Sequence, residues 1–326
     1  MGEEDALKFL AKRFKVTQKE VLMGIGDDSA VVKIKEKNCL VASTDVLVEG
    51  VHFLPGTQSA RQLGKKAVLV AISDIGAMGA SPAYLLCSLG CRREDAKQFI
   101  EDLSQGVEDG CREFGLCLIG GNLSESQTVF ISVTALGEID GGKIVRRSGA
   151  AVGDEIHVTG TLGDSALGLR VLSGGHGSTT RGYGRFVSRH FEPTPRIAAG
   201  RMLAERGIAS SMIDISDGLL RDLGRLTSAH GLGAEVEIRD IPLSPDFLSV
   251  SSRFCEDGYS LAICGGEDYE LLFTSQAHDR ASVREVSRLC EVPISRIGLV
   301  TGGGKIRFLD GSGEVFYDTE GFEHFC

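Results

Sequence analysis

Apolar and polar positions follow the periods of helices and strands in turn along the chain. Apolar side chains recur at helical spacing over residues 59–78, which predicts one long helix there. A short apolar run at 38–44 predicts a strand before this helix, and another at 83–89 predicts a strand after it. The first half continues with a predicted helix at 94–114 and predicted strands at 116–120 and 128–139.

The same alternation restarts after the basic stretch at 143–147. The second half is predicted to contain strands at 155–159, up to 214, at 234–238 and near 271 and 295, with helices from 164, from 195 and over 217–229. A chain of 326 residues is long enough to form two hydrophobic cores. We therefore predict an α+β protein with two domains, residues 1–146 and 147–326.

One segment, residues 173–184, is rich in glycine and serine and has too few apolar side chains to pack. It is predicted to be a loop. Two interpretations stay open for it: a lid over a site, or an ordinary surface loop.

Charge and composition narrow the class of protein. The chain has 45 acidic and 35 basic residues and a net charge of −10, which argues against a broad nucleic-acid-binding surface. No apolar run approaches the roughly 18 residues that span a bilayer, and residues 1–9 contain no apolar signal segment, so we expect a cytoplasmic protein. The nine cysteines are odd in number and form no Cys-x-x-Cys, which favours reduced thiols.

The standard nucleotide-binding and hydrolase motifs are missing. The glycines at 24 and 26 lack the third glycine of a dinucleotide loop, and the segment 302–305 is not followed by the Ser or Thr of a P-loop. His-Glu-x-x-His and Gly-x-Ser-x-Gly are absent as well. Rossmann enzymes, P-loop enzymes, zinc proteases and α/β-hydrolases are therefore not expected.

Carboxylates instead stand beside glycine or hydroxyl residues at the ends of apolar runs. Any one such place is typical of a turn or a helix N-cap, but Asp74 lies within an apolar helical run, where a carboxylate must be paired, hydrogen-bonded or metal-bound. Hard oxygen donors with only 7 histidines in the chain suit Mg²⁺, which in enzymes usually accompanies phosphates. The five places are 26–29, 43–45, 73–74, 214–218 and 265–268.

Two further segments would complete a phosphate site. Gly120, Gly121 and Asn122 follow an apolar strand, where a backbone without side chains can approach an anion closely. Arg146 and Arg147 offer guanidinium donors for phosphate oxygens. A plain glycine turn and a solvated basic pair explain the same residues, and the sequence alone leaves both interpretations open.

Nine motifs occur in the order found in the thiamine-monophosphate kinase family, and the chain resembles that family from about residue 20 to its end. They are GIGDDSAVV (24–32), STDVLVEGVHF (43–53), SDIGAMGA (73–80), GGN (120–122), RSGAAVGD (147–154), VTGTLGDSALGL (158–169), PTPR (193–196), DISDGL (214–219) and GGEDYELLF (265–273). The family belongs to the superfamily of aminoimidazole ribonucleotide synthetase, selenophosphate synthetase and the hydrogenase-maturation dehydratase.

The resemblance implies a fold and an activity. It implies an N-terminal ferredoxin-like α/β domain with a mixed sheet, which binds ATP and Mg²⁺ and dimerises, and a C-terminal α/β sandwich domain that completes the nucleotide and substrate site. The implied assembly is a homodimer joined through N-terminal strands. The implied reaction is Mg²⁺-dependent transfer of the γ-phosphoryl group of ATP to thiamine monophosphate, which gives thiamine diphosphate.

The resemblance also implies roles for residues at matching positions. The Mg²⁺ ligands would be Asp28, Ser43, Thr44, Asp45, Asp74, Asn122, Asp214 and Asp217. Gly121, Asn122, Arg147 and Ser216 would contact ATP, and His52, Glu267 and Phe322 would contact thiamine monophosphate. Asn122 stands where the family often has aspartate; its amide oxygen can bind Mg²⁺ but brings no charge, so one metal would be held more weakly.

Simpler explanations stay open for three residues. His52 is also explained as a structural histidine, and Phe322 as packing at the terminus. Asp164, in the segment GTLGDSALG, fits a helix N-cap as well as an anion-binding loop.

The acceptor explains why no activated nucleophile is needed. A phosphate monoester has a second pKa of about 6, so its oxygen is largely ionised at neutral pH. We expect direct in-line transfer with electrostatic and metal catalysis and no general base. The alternatives are another ATP-dependent enzyme of the superfamily and a non-catalytic regulator that binds Mg²⁺ and nucleotide.

Overall fold

The computed structural model describes residues 19–23, 27–35, 37–94, 96–174, 182–228, 230–255 and 257–317. These residues form two mixed sheets with helices packed on them, and the predicted α+β class is confirmed. Within these ranges, no helix combines the length and the apolar character needed to cross a bilayer.

The first sheet takes up residues 21–140. Its strands and helices are β1 (Val21–Met23), β2 (Ala30–Lys33), β3 (Asn38–Val48), α1 (Ala60–Ala77), β4 (Ser81–Cys91), α2 (Ala96–Phe114), β5 (Cys117–Glu125) and β6 (Phe130–Asp140). The strand order is β1-β2-β3-β6-β4-β5, antiparallel except for the parallel pair β4 and β5. Helix α1 packs on α2 and covers β3, β4 and β6, so one layer of helices closes the first core.

The second sheet has seven strands in the order β13-β12-β9-β11-β7-β10-β8, antiparallel except for the pair β12 and β9. Its elements are β7 (Glu155–Thr159), α3 (Asp164–Ser173), α4 (Gly184–Phe191), α5 (Ile197–Glu205), β8 (Ala209–Asp214), α6 (Leu219–Ser228), β9 (Gly233–Glu237), α7 (Phe247–Ser251), α8 (Gly258–Cys264), β10 (Leu271–Ser275), α9 (Arg280–Leu289), β11 (Ile294–Thr301), β12 (Ile306–Leu309) and β13 (Glu314–Val315). Short 3₁₀ turns at Gly141–Lys143 and Arg147–Gly149 connect the two sheets.

Helix α1 matches its prediction, and its start has a clear cause. The Ser59 hydroxyl accepts a hydrogen bond from the Gln62 N–H (3.2 Å), while the Gln62 side chain accepts one from the Ser59 N–H (3.0 Å). This reciprocal capping box satisfies two N–H groups that a helix end leaves unpaired.

Helix α1 also packs against α5 of the second half. A Cβ at Gly200 would lie 2.1 Å from the carbonyl oxygen of Gly76, so this close crossing requires glycine. Ala77 shares an apolar cluster with Leu203 and Met212. The helix is therefore held against both halves of the molecule.

Some predicted elements differ from the structure. The strand predicted at 116–120 is β5, which runs on to Glu125 because its pairing with β4 continues to Cys91. The loop predicted at 173–184 is bounded by α3 and α4, and its residues 175–181 lie outside the described part of the chain.

Candidate active site

Three carboxylates from distant parts of the sequence meet in the structure. Asp28 precedes β2, Asp74 lies on α1, and Asp214 is the last residue of β8. One oxygen of each carboxylate lies within 4.8 Å of an oxygen of the others. We call these residues the three-carboxylate cluster; all three belong to the set of predicted metal ligands.

Serine hydroxyls bind the cluster. Ser43 on β3 donates a hydrogen bond to Asp74, and its Oγ lies 3.3 Å from the carbonyl oxygen of Asp28. Ser73 on α1 donates to Asp214, with 2.5 Å between Oγ and Oδ2. These bonds fix the orientation of two of the three carboxylates.

Asp45 and Thr44 follow Ser43 on β3 but point to opposite faces, because side chains alternate along a strand. Asp45 shares the face of Ser43, and burial raises its pKa to about 6. The Thr44 hydroxyl lies 3.0 Å from the hydroxyl of Thr134 on β6. Asp45 therefore extends the acidic surface, whereas the Thr44 hydroxyl already has a protein partner.

The cluster holds more negative charge than the protein compensates. Burial raises the pKa of Asp74 well above its usual 3.8, and the charges of Asp45, Asp214 and Asp28 raise it further. Burial likewise raises the pKa of Asp214 to about 8, and it raises the pKa of Asp28. Carboxylates that are buried this close together bind protons unless a metal cation binds there in place of the protons.

One oxygen of the cluster lacks a donor. Arg147 donates a hydrogen bond to Oδ1 of Asp28, but Oδ2 of Asp28 is buried and has no hydrogen-bond partner in the described part of the chain. Burying a carboxylate oxygen without a partner is costly. The donor set, made of carboxylates and hydroxyls, is that of a hard divalent cation, so these residues fit Mg²⁺.

Asp217 does not join the three-carboxylate cluster. Its Oδ2 lies 2.7 Å from Nη2 of Arg225. The N–H groups of Ser216 and Asp217 donate to Oδ2 of Asp222, at 3.1 and 3.0 Å. Burial raises the pKa of Asp222 to about 7. Asp222 thus fixes the turn that carries both predicted residues.

Glu267 is held by buried polar residues from two helices. Its Oε1 lies 2.8 Å from Nζ of Lys66 on α1, and its Oε2 lies 3.2 Å from Nδ1 of His190 on α4. Burial opposes ionisation of Glu267, but the combined effect of the Lys66 ammonium, His190 and His52 outweighs it, so the pKa of Glu267 is lowered. The backbone φ of Glu267 is +65°, a conformation that is uncommon for residues other than glycine.

A cleft of about 1020 Å³ between the two halves joins these groups. This volume is at the upper end of the range of roughly 300–1,000 Å³ for small-molecule sites. Its wall contains nine predicted residues, namely Asp28, Ser43, Thr44, Asp45, His52, Arg147, Ser216, Asp217 and Glu267. The His52 ring is oriented by its Nδ1, which accepts a hydrogen bond from the Val48 N–H at 3.1 Å.

Asp74 and Asp214 are not in the cleft wall themselves, but they form the three-carboxylate cluster with the wall residue Asp28. The other predicted residues lie elsewhere. Gly121 and Asn122 are on the exposed edge strand β5, and neither is part of the cleft wall. At Gly121 a Cβ would lie 1.7 Å from the carbonyl oxygen of Cys87, so strand packing alone requires glycine there. Phe322 lies outside the described residues.

Lys66, His190 and Asp222 were not singled out from the sequence. The sequence does contain a sign of the role of Lys66, because this charged residue directly precedes the apolar helical run that contains Asp74. His190 had none, because its partner Glu267 is far away in the sequence.

The two halves match two models of one family. Residues 26–139 match the AIR synthase related protein, N-terminal domain, and residues 151–311 match the AIR synthase related protein, C-terminal domain. The chain, with its two halves and the cleft between them, is therefore an AIR synthase related protein.

Relatives that match the whole chain define the family within this class. Thiamine-monophosphate kinase from Salmonella typhimurium is 37% identical over 100% of this chain and 98% of the relative, and the Escherichia coli K12 enzyme is 36% identical with the same coverage. The solved structure of AaThiL complexed with AMPPCP and TMP superposes with a TM-score of 0.87 and 31% identity, over 99% of this chain and 97% of that one. The chain belongs to the thiamine-monophosphate kinase family.

Proposed function

We propose that the protein transfers the γ-phosphoryl group of ATP to thiamine monophosphate and forms thiamine diphosphate. The observation that carries this proposal is the three-carboxylate cluster beside Arg147, whose member Asp28 lies in the wall of a cleft large enough for two small molecules. Family membership supports it, as does the relative that binds AMPPCP, an ATP analogue, together with TMP.

Mg²⁺ belongs to this proposal. Asp28, Asp74 and Asp214 would hold it, with Asp45 and Ser43 next to them. When bound, Mg²⁺ supplies positive charge that offsets repulsion between phosphates and stabilises the transferring phosphoryl group. Thr44, Asn122 and Asp217 are candidates for further metal contacts on the resemblance alone.

The chain's own residues provide the rest of the phosphate site. Arg147 holds a guanidinium at the cleft wall, and its planar donors match phosphate oxygens. Ser216, on the turn fixed by Asp222, and Gly121 with Asn122 are the other proposed ATP contacts.

No side chain is assigned as a general base. The acceptor phosphate is largely ionised at neutral pH, so no proton has to be removed from it. Transfer is then direct and in line, by positioning and electrostatic stabilisation. Trapping a phosphorylated aspartate or histidine of the enzyme during turnover would refute this step.

Thiamine monophosphate is proposed to occupy the side of the cleft that His52 and Glu267 line, with Phe322 as a further contact. That side is also partly apolar, which suits the carbon surface of a heteroaromatic ring. The apolar wall residues include Val51, Leu54, Val70, Leu169 and Leu261.

We also propose a homodimer in which residues 1–146 carry the contact and bind ATP and Mg²⁺, while residues 147–326 complete the site. Strand β5 supports this arrangement, because all nine of its residues are exposed and Leu123 is 65% exposed at the edge of the sheet. An apolar edge strand is suited to pairing with a second copy. Sedimentation equilibrium is expected to give a dimer; a monomer at assay concentrations would overturn this part.

The test is direct. The protein is incubated with ATP, Mg²⁺ and thiamine monophosphate, and the products are separated by chromatography, with unphosphorylated thiamine as the control acceptor. Thiamine diphosphate is expected from the monophosphate only. ADP formation with a different acceptor would indicate another reaction of the superfamily, and nucleotide binding without turnover would indicate a regulator.

A further inference from the structure

Lys66 is a buried charged residue outside the groups assigned so far. Its side chain is 0% exposed, and its neighbours on α1, Leu63, Ala67 and Val70, are buried as well. An apolar side chain of similar size would fill this space without the cost of removing an ammonium from water. The charge therefore calls for an explanation beyond packing.

Two buried side chains of α1, seven residues apart, make polar contacts with residues of the second half of the chain. Ser73 donates to Asp214 at 2.5 Å, and Lys66 lies 2.8 Å from Glu267. Seven residues make about two helical turns, so both side chains lie on one face of α1, roughly 10 Å apart along its axis. The Ser73 contact reaches the three-carboxylate cluster, and the Lys66 contact reaches Glu267, which is proposed to bind the acceptor.

Glu267 is well placed to bind a ligand at a fixed distance from the three-carboxylate cluster. Its N–H donates to the carbonyl oxygen of Ser216 at 2.8 Å. Nδ1 of His190, which is 3.1 Å from the Ser165 hydroxyl, lies 3.2 Å from its second carboxylate oxygen. The carboxylate is still 24% exposed and forms part of the cleft wall. A carboxylate held from two sides is a preorganised acceptor for an N–H donor or a positively charged ring.

We propose that Lys66 is a positioning residue for the phosphate acceptor. Acting through Glu267, it fixes the point at which the heteroaromatic, N–H-bearing part of the acceptor is held, at a set distance from the three-carboxylate cluster. The inference rests on the proposed function, and it makes one helix set the distance between the three-carboxylate cluster and Glu267.

The test compares Lys66→Met with Lys65→Met in steady-state kinetics. Lys65 is the matched control: it is the next residue on α1, and its ammonium pairs with two carboxylates on the surface side, Glu113 at 3.1 Å and Glu192 at 3.0 Å. Lys66→Met is expected to raise KM for thiamine monophosphate by about 10- to 100-fold, the loss typical of one misplaced charge-assisted hydrogen bond. KM for ATP and kcat are expected to stay within about threefold of the wild type, as is every constant for Lys65→Met.

A double variant guards against simple unfolding. Lys66→Met leaves the partly buried Glu267 charge without its ammonium partner, which destabilises a fold, whereas Lys66→Met combined with Glu267→Gln removes both charges. The double variant is expected to melt closer to the wild type than Lys66→Met does and to keep a raised KM for the acceptor.

Three results would overturn the inference. The first is a folded Lys66→Met with an unchanged KM for the acceptor, and the second is a rise in both KM values together. The third is a double variant that does not fold, because the pair would then be structural. A wild-type protein that forms no thiamine diphosphate would overturn the proposed function first, and this inference with it.

Discussion

Replacing Asp214 by asparagine removes one ionisable carboxyl group from the three-carboxylate cluster while keeping the side-chain shape. Asparagine can still accept the hydrogen bond from Ser73 through its amide oxygen. The variant therefore separates the electrostatic role of Asp214 from its packing. It is predicted to lose activity and, in metal-free protein, to gain stability.

The expected gain follows from the pKa of Asp214. Burial, with the charge of Asp28 adding to it, raises this pKa from 3.8 to about 8 in the folded protein. Between these values the folded state binds a proton that the unfolded state has released, so stability falls as pH rises, by about 1.4 kcal/mol per pH unit. At neutral pH this effect lowers the free energy of unfolding of the wild type by about 4 kcal/mol. The asparagine variant has no such loss, because asparagine does not ionise.

The assay is urea unfolding of wild type and Asp214→Asn at about pH 5 and about pH 8, with EDTA and with Mg²⁺. In EDTA the variant is predicted to be the more stable protein at the higher pH, with the difference shrinking at the lower pH. Mg²⁺ at about 100 times its Kd should stabilise the wild type by about 2.7 kcal/mol and the variant by much less. Turnover of the variant should fall by at least about 100-fold.

An exposed carboxylate provides the control. Asp240→Asn removes the same charge at an exposed position and should change neither the pH dependence nor the response to Mg²⁺. Two results would contradict this prediction: a metal-free Asp214→Asn that is less stable than the wild type at the higher pH, or equal stabilisation of both proteins by Mg²⁺.

Three further predictions concern other parts of the molecule. Asp45→Asn and Asp74→Asn should each lose at least about 100-fold in kcat with an unchanged circular dichroism spectrum, and near-wild-type turnover in both would contradict the metal assignment. Burial lowers the pKa of His157 from 6.5 to about 4, so the unfolded chain takes up a proton in this window that the folded one does not. Stability should therefore fall as pH falls from 6.5 towards 4, and His157→Gln should reduce that slope in urea midpoints; an unchanged slope would exclude this histidine as a cause. Gly121→Ala should cost about 2–4 kcal/mol, because its Cβ would lie 1.7 Å from the Cys87 carbonyl oxygen, and an unchanged melting temperature would show that β4 and β5 can separate there.

The sequence predicts the elements whose patterns are local. Helix α1 is the clearest case, because an uninterrupted apolar period and a capping serine both mark it. Strand β5 was predicted too short, because its second half, with Gly120, Gly121 and Asn122, has the local composition of a turn. Pairing with β4 extends it, and such pairing is set by tertiary contacts rather than by propensity.

The candidate site was predictable where a residue conflicts with its surroundings. Asp74 is such a residue, because a carboxylate in an apolar helical run needs a partner. Lys66 shows the same conflict on the same helix, and its partner Glu267 became visible only in the structure. Asp217 illustrates the opposite case: its motif suggests a metal ligand, while the structure places its carboxylate on Arg225.

Phosphoryl transfer from ATP to thiamine monophosphate can be followed atom by atom with ³¹P NMR. The sample contains the protein, ATP, Mg²⁺ and thiamine monophosphate. We expect the monoester signal to be replaced by two diphosphate signals, with one ADP formed for each acceptor consumed. An unchanged monoester signal while ATP is hydrolysed, or no change in either, would contradict this expectation.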